Sequence, residues 1–185
     1  DVADVKIDRK KHSFAEGHIV NLVKPSEIRI QPFCEHFGVC GGCKFQHIPY
    51  EYQLKYKQQQ VVDALERIAK VDLPQVNPIL GSQCTTAYRN KLEFTFSDKE
   101  WLTTEQLHSG EQFPDRNAVG FHIPNGYNKV LDIKKCWLME DINNQLRLFV
   151  KQYALSKGYT FFDMRNNTGL MRMMMIRVAS TGQLM

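Results

Sequence analysis

Three cysteines fall within one short run, Cys34-Glu35-His36-Phe37-Gly38-Val39-Cys40-Gly41-Gly42-Cys43, and a fourth, Cys136, stands far downstream after Asp132-Ile133-Lys134-Lys135. Thiolates at this spacing converge on a metal. Only two residues separate Cys40 from Cys43, so one tight turn can aim both sulfurs at a point. Gly41 and Gly42 are expected to supply that turn, because glycine reaches backbone angles that other residues avoid, and Gly38 to relax the longer arm back to Cys34. The fourth ligand must arrive from a remote segment, so the fold has to bring Cys136 beside the triplet.

Four thiolates suit either a tetrahedral zinc ion or a [4Fe–4S] cluster. Structural zinc sites usually draw on two short Cys or His pairs. A compact triplet with a remote single is nearer to cluster ligation. A cluster that runs radical chemistry leaves one iron open; Cys136 would close that position, so a structural or redox cluster is the better reading. His36 and His47 keep a Cys3His zinc site open, and scattered thiols in a reduced compartment are the plain alternative. Cys84 is read as a simple, partly buried thiol.

The 185 residues are enough to bury a core, and a hydrophobic fraction of 43% with 24% charged residues is that of a globular chain. No apolar run approaches the ~18 residues that span a bilayer. The start, Asp1-Val2-Ala3-Asp4-Val5-Lys6, carries no signal-peptide core and no initiator methionine, which predicts a chain processed or cut from something longer. Five cysteines cannot all pair, and a cytoplasmic, membrane-free setting is expected. A net charge of +4 permits a nucleic-acid partner without demanding one.

Periodicity sets out the elements. Residues 18–23 and 27–30 are β-rich runs broken by Pro25-Ser26, expected as the end of a small β domain over residues 1–31. Leu54, Val61, Leu65 and Ile68 predict a helix over 50–70. Leu92, Phe94 and Phe96 alternate with Arg89, Lys91, Glu93 and Thr95, predicting a strand over 88–97. Residues 107–117 read as a loop, and strands are expected over 119–123 and 129–133 about the Pro124-Asn125-Gly126 turn. Ile142, Leu146, Phe149, Val150 and Tyr153 mark a second helix that Gly158 should end. Residues 159–164 and 170–178 suggest a hairpin, with Met171, Met173, Met174 and Met175 filling a core. The fold expected is α+β: a mainly antiparallel sheet with two helices, a metal loop, and an N-terminal β fragment.

The run from Cys34 to Gln46 resembles the cluster motif of the RNA (uracil-5-)-methyltransferases of the ribosomal RNA type. Further likeness lies in Tyr88-Arg89-Asn90-Lys91-Leu92-Glu93-Phe94, in Ala118-Val119-Gly120-Phe121-His122, and in Leu131-Asp132-Ile133 ahead of Cys136. Members of that family join a TRAM β-barrel, a central cluster domain and a Rossmann-like catalytic domain. The resemblance implies that residues 1–31 are a barrel remnant and that residues 32–185 are the iron–sulfur, RNA-facing domain. It implies Cys34, Cys40, Cys43 and Cys136 as the four [4Fe–4S] ligands. It further implies an S-adenosylmethionine-dependent enzyme, a monomer, forming 5-methyluridine in 23S ribosomal RNA.

The family's thiolate nucleophile and glycine-rich S-adenosylmethionine site have no counterpart here, and Cys84 lacks the nucleophile's surroundings. No catalytic residue is therefore expected in this chain, which alone should not methylate. Arg89 and Lys91 are the expected RNA contacts, on the polar side of one strand beside Tyr88. A zinc-binding nucleic-acid module and a small iron–sulfur electron carrier are the competing readings.

Overall fold

The computed structural model describes residues 1–185, which divide into two compact units. The first comprises residues 1–31 and 47–79; the second comprises residues 32–46 and 80–185. The chain thus enters the second unit at the cysteine loop, returns to the first over residues 47–79, and then completes the second.

In the first unit, β1 (Val2–Lys10) and β2 (Ala15–Lys24) form an antiparallel ribbon. Sequence reading found only part of β2. The ladder slips between Asp4 and Val5, and such a bulge hides the period of two by which strand β1 would be recognised. Residues 27–30, expected as a strand, are turn and coil instead, and the Arg29 guanidinium is tied to the Asp1 carboxylate at 2.6 and 2.8 Å. Helix α1 (Tyr50–Asp63) starts after Pro49 and widens into a π-turn over Ala64–Ile68. No residue of it is buried; Val61 and Ile68, two members of the expected stripe, are exposed.

The second unit is built on a four-stranded antiparallel sheet, order β5-β4-β3-β6: β3 Lys91–Ser97, β4 Ala118–Ile123, β5 Gly126–Asp132 and β6 Met173–Arg177. Leu92, Phe94 and Phe96 point inward as their alternation predicts. Phe94 packs on Phe121, and Phe96 meets Phe161 edge to face, each with ring centroids 5.1 Å apart. The β4–β5 turn is made at Asn125, in the left-handed region at φ 59°. Strand β3 begins at Lys91 rather than at residue 88, so Arg89 precedes it and does not share its polar face. Residues 159–164 make only isolated bridges, Phe161 with Met171 and Asp163 with Thr168, in place of the expected hairpin.

The unit has two helices of its own, so the chain holds three where two were expected. Helix α2 (Thr104–His108) is a single turn held by a capping box between Thr103 and Gln106, at the start of the polar stretch read as loop. Helix α3 (Ile142–Ser156) lays Leu146 and Val150 against the core and ends before Gly158, whose φ of +66° suits glycine. No helix is long and apolar enough to cross a membrane.

Candidate functional site

The cysteine loop is held by its own backbone. The amides of Val39 and Cys40 donate to the His36 carbonyl, that of Phe37 donates to the Cys34 carbonyl, and the Cys34 N–H donates to Gln46 Oε1 at 3.3 Å. Positive φ falls at Gly38 (+91°), not at Gly41 or Gly42. Gly41 is required for another reason: its N–H donates to the His122 carbonyl of β4 at 3.0 Å, and a Cβ there would lie 2.5 Å from that oxygen. The glycine therefore lets the loop approach the end of β4, a role that turn chemistry alone does not reveal.

Cys136 arrives just past the end of β5 and is buried in the core. Two polar side chains of α3 and one of the cysteine loop hold its segment. Asn144 Oδ1 accepts the Cys136 N–H at 2.8 Å, and Asn144 Nδ2 donates to the Cys136 carbonyl at 3.2 Å. The Arg147 guanidinium donates to the carbonyls of Lys134 (2.8 Å) and Val119 (3.3 Å). The Lys134 N–H donates to His36 Nε2 at 2.8 Å, which requires a neutral ring. Burial lowers the His36 pKa in the same sense.

Cys34, Cys40, Cys43 and Cys136 line one cavity of the second unit, about 380 Å³ with its open mouth included. Its other walls include Phe121, Ile133, Trp137 and Leu138. Burial pushes the Cys40 thiol up to about 11, and ionised Cys43, Cys136 and Cys34 would each push it further. Burial also raises Cys34 and Cys136. Cys34, Cys40 and Cys136 thus feel neighbouring thiolate charge, which a cation in the cavity would offset. Lys135 is the cationic residue in the cavity wall; behind it the wholly buried Arg147, whose Nε has no hydrogen-bond partner, opposes in small part the rise that burial gives Cys136.

The donor set, four soft sulfurs about an apolar cavity, fits iron–sulfur or zinc chemistry. No three His, Cys, Asp or Glu side chains stand at the spacing that grips a single ion. His36 lines the cavity, but its Nε2 is engaged with the Lys134 amide; His47 belongs to the first unit. Cys84 is exposed, not partly buried, and takes no part. Of the expected RNA contacts, Lys91 pairs with Glu93 at 2.8 Å, while Arg89 gives its backbone N–H to the Leu138 carbonyl at 2.8 Å. Asn144 and Arg147 escaped sequence reading, because they lie on a helix judged by its apolar residues.

No family model matches the chain. An uncharacterized RNA methyltransferase of Bacteroides thetaiotaomicron is 51% identical over the whole chain, and one of Porphyromonas gingivalis is 52% identical. One from Chlorobaculum tepidum is 33% identical over 96% of the chain. The chain is similar throughout to RNA methyltransferases. It spans 41% of the length of the first two relatives and 37% of the third. In fold it matches the tRNA (uracil-54, C5)-methyltransferase of Pyrococcus abyssi, solved with S-adenosyl-L-homocysteine, at a TM-score of 0.58 and 21% identity, over 98% of this chain and 36% of that one.

Proposed function

We propose that this chain is the cluster-bearing, RNA-facing part of an S-adenosylmethionine-dependent RNA (uracil-5-)-methyltransferase that forms 5-methyluridine in 23S ribosomal RNA. The observation that carries the reading is the convergence of Cys34, Cys40, Cys43 and Cys136 on one cavity, in a chain similar throughout to RNA methyltransferases. Those cysteines would hold a [4Fe–4S] cluster. When bound, the cluster supplies a rigid cross-link between the 34–43 loop and the segment after β5. Asn144 and Arg147 fix that segment, and the buried Arg147 charge offsets the negative charge of the thiolates. Residues 1–31 are read as part of a TRAM-like barrel and residues 32–185 as the cluster domain.

Arg89 and Lys91 are proposed as RNA contacts, Lys91 by exchanging Glu93 for a phosphate. S-adenosylmethionine binding and methyl transfer are assigned to the part of the relatives that this chain does not match. A zinc module is less favoured, because a compact triplet with a remote single cysteine differs from the two short pairs usual at structural zinc. Transfer RNA is the second substrate reading, since the solved protein of like fold modifies a tRNA uracil. The test is mass spectrometry of RNA from cells lacking the gene. One 5-methyluridine should vanish from 23S ribosomal RNA. Loss from transfer RNA selects the second reading, and unchanged 5-methyluridine in both sinks the proposal.

A further inference from the structure

Phe33 and Trp137 form an aromatic step beside the cysteine cavity, of which Trp137 is one wall. Their rings meet edge to face with centroids 5.7 Å apart and planes at 78°. Neither is covered: Phe33 is 51% exposed and Trp137 37%. Two partly exposed rings in contact offer a surface to a further π-system. The chemistry around them says which. The Lys135 ammonium lies 4.0 Å from the Trp137 ring centroid, and its nearest carboxylate, on Asp141, is 3.9 Å away across half-exposed side chains. The amides of Ala87 and Arg89 donate to the carbonyls of Trp137 and Leu138, both at 2.8 Å. That short ladder sets the exposed Tyr88 and Arg89 alongside the step.

An occupant has to offer a flat π-face to the rings and negative charge to Lys135 and Arg89. An unpaired nucleotide offers both, whereas a duplex hides its base faces in the stack. The geometry points to a base-stacking platform: Phe33 and Trp137 receive a splayed base of the RNA substrate, while Lys135 swings from the indole to a flanking phosphate. This inference rests on the RNA reading above and adds where the strand sits and in what form. Arg89 gains a definite place in it, on the strand's path past the rings.

The chain has two tryptophans, so Trp101→Phe leaves Trp137 as the sole emitter. That variant is titrated with single-stranded oligouridylate and with an RNA duplex of equal length. Saturable quenching by the single strand, and none by the duplex, is expected. Trp137→Ala should lose roughly tenfold in affinity for the single strand, Phe33→Ala somewhat less, and Trp137→Phe should recover most of it. Lys135→Gln should lower the salt slope by about one contact. Circular dichroism checks each variant; if Trp137→Ala fails to fold, Phe33→Ala and the Trp137 emission decide. Single-strand binding with Trp137 emission unmoved and Phe33→Ala unaffected overturns the platform and leaves the RNA reading standing. If neither RNA binds, the RNA reading falls and the platform with it.

Discussion

Asn144 occupies the position of a missing strand. Its amide answers both the N–H and the C=O of Cys136, at 2.8 and 3.2 Å, and it is itself buried. Asn144→Ala leaves two buried backbone groups without partners, each worth about 1–3 kcal/mol. We expect it to destabilise the chain by roughly 2–4 kcal/mol, read as a lower urea midpoint at unchanged slope, and to lower metal content. A midpoint equal to the parent's would mean that the Cys136 segment holds itself. Arg147 poses the same problem in charge. A buried guanidinium normally pairs with a carboxylate, yet Asp132 gives its oxygens to Lys151 (2.7 Å) and to the Val119 N–H (2.8 Å). Arg147 spends its donors on two carbonyls and meets the Asp132 charge without a direct hydrogen bond, with Cys136 as a lesser charge partner.

At the scale of elements, alternation served the strands and misled on the helices. Leu92, Phe94 and Phe96 face the core because a strand's two faces follow from its local geometry. Met171 and Met174 pack against the core as expected, while Met173 and Met175, on the opposite face of β6, stay exposed. On α3 the apolar stripe is only half right. Phe149 and Tyr153 lie outside, stacked on each other with centroids 6.3 Å apart, while Asn143, Asn144 and Arg147 go in. The 161–171 segment, which lacks a continuous ladder, is pinned by Asp163. Its carboxylate takes the Lys99 ammonium at 2.7 Å, then the amides of Arg165 and Asn166, and is held below the usual aspartate range. A carboxylate with a lowered folded pKa contributes fully above its unfolded value, about 4, and loses that contribution as pH falls further. Stability should therefore drop on acidification below about pH 4, and Asp163→Asn should flatten that limb while lowering the neutral plateau. Melting temperatures measured across pH 2–7, as an order-of-magnitude span about that value, check both; parallel curves would remove Asp163 as the pin.

For the whole molecule, metal and fold are expected to be coupled. Anaerobically prepared chain should carry about four irons and about four sulfides, and stripping them should lower Tm, because the cross-link between loop and β5 is lost. Cys136→Ser should do the same in one step. Full iron content and an unshifted Tm in that variant would sink the four-ligand assignment. The Cys34–Cys43 triplet was legible in the chain itself, since its spacing is local, whereas its sharing of a cavity with Cys136 was seen only in the fold. Also legible were β3, β4 and the end of α3, where alternation, an Asn-Gly turn and a glycine stop act over a few residues. The β1 strand was not legible, because a bulge breaks its period, and neither was the need for Gly41, which comes from the approach of β4. Sequence alone offered four candidate thiol ligands, three of them in one short run. Only the tertiary structure decided that Asn144 and Arg147 hold the segment of the fourth, Cys136, and that Phe33 and Trp137 stand open beside the cavity. Burial and partnership are set by whichever surfaces the folded backbone brings together, and no residue carries them on its own.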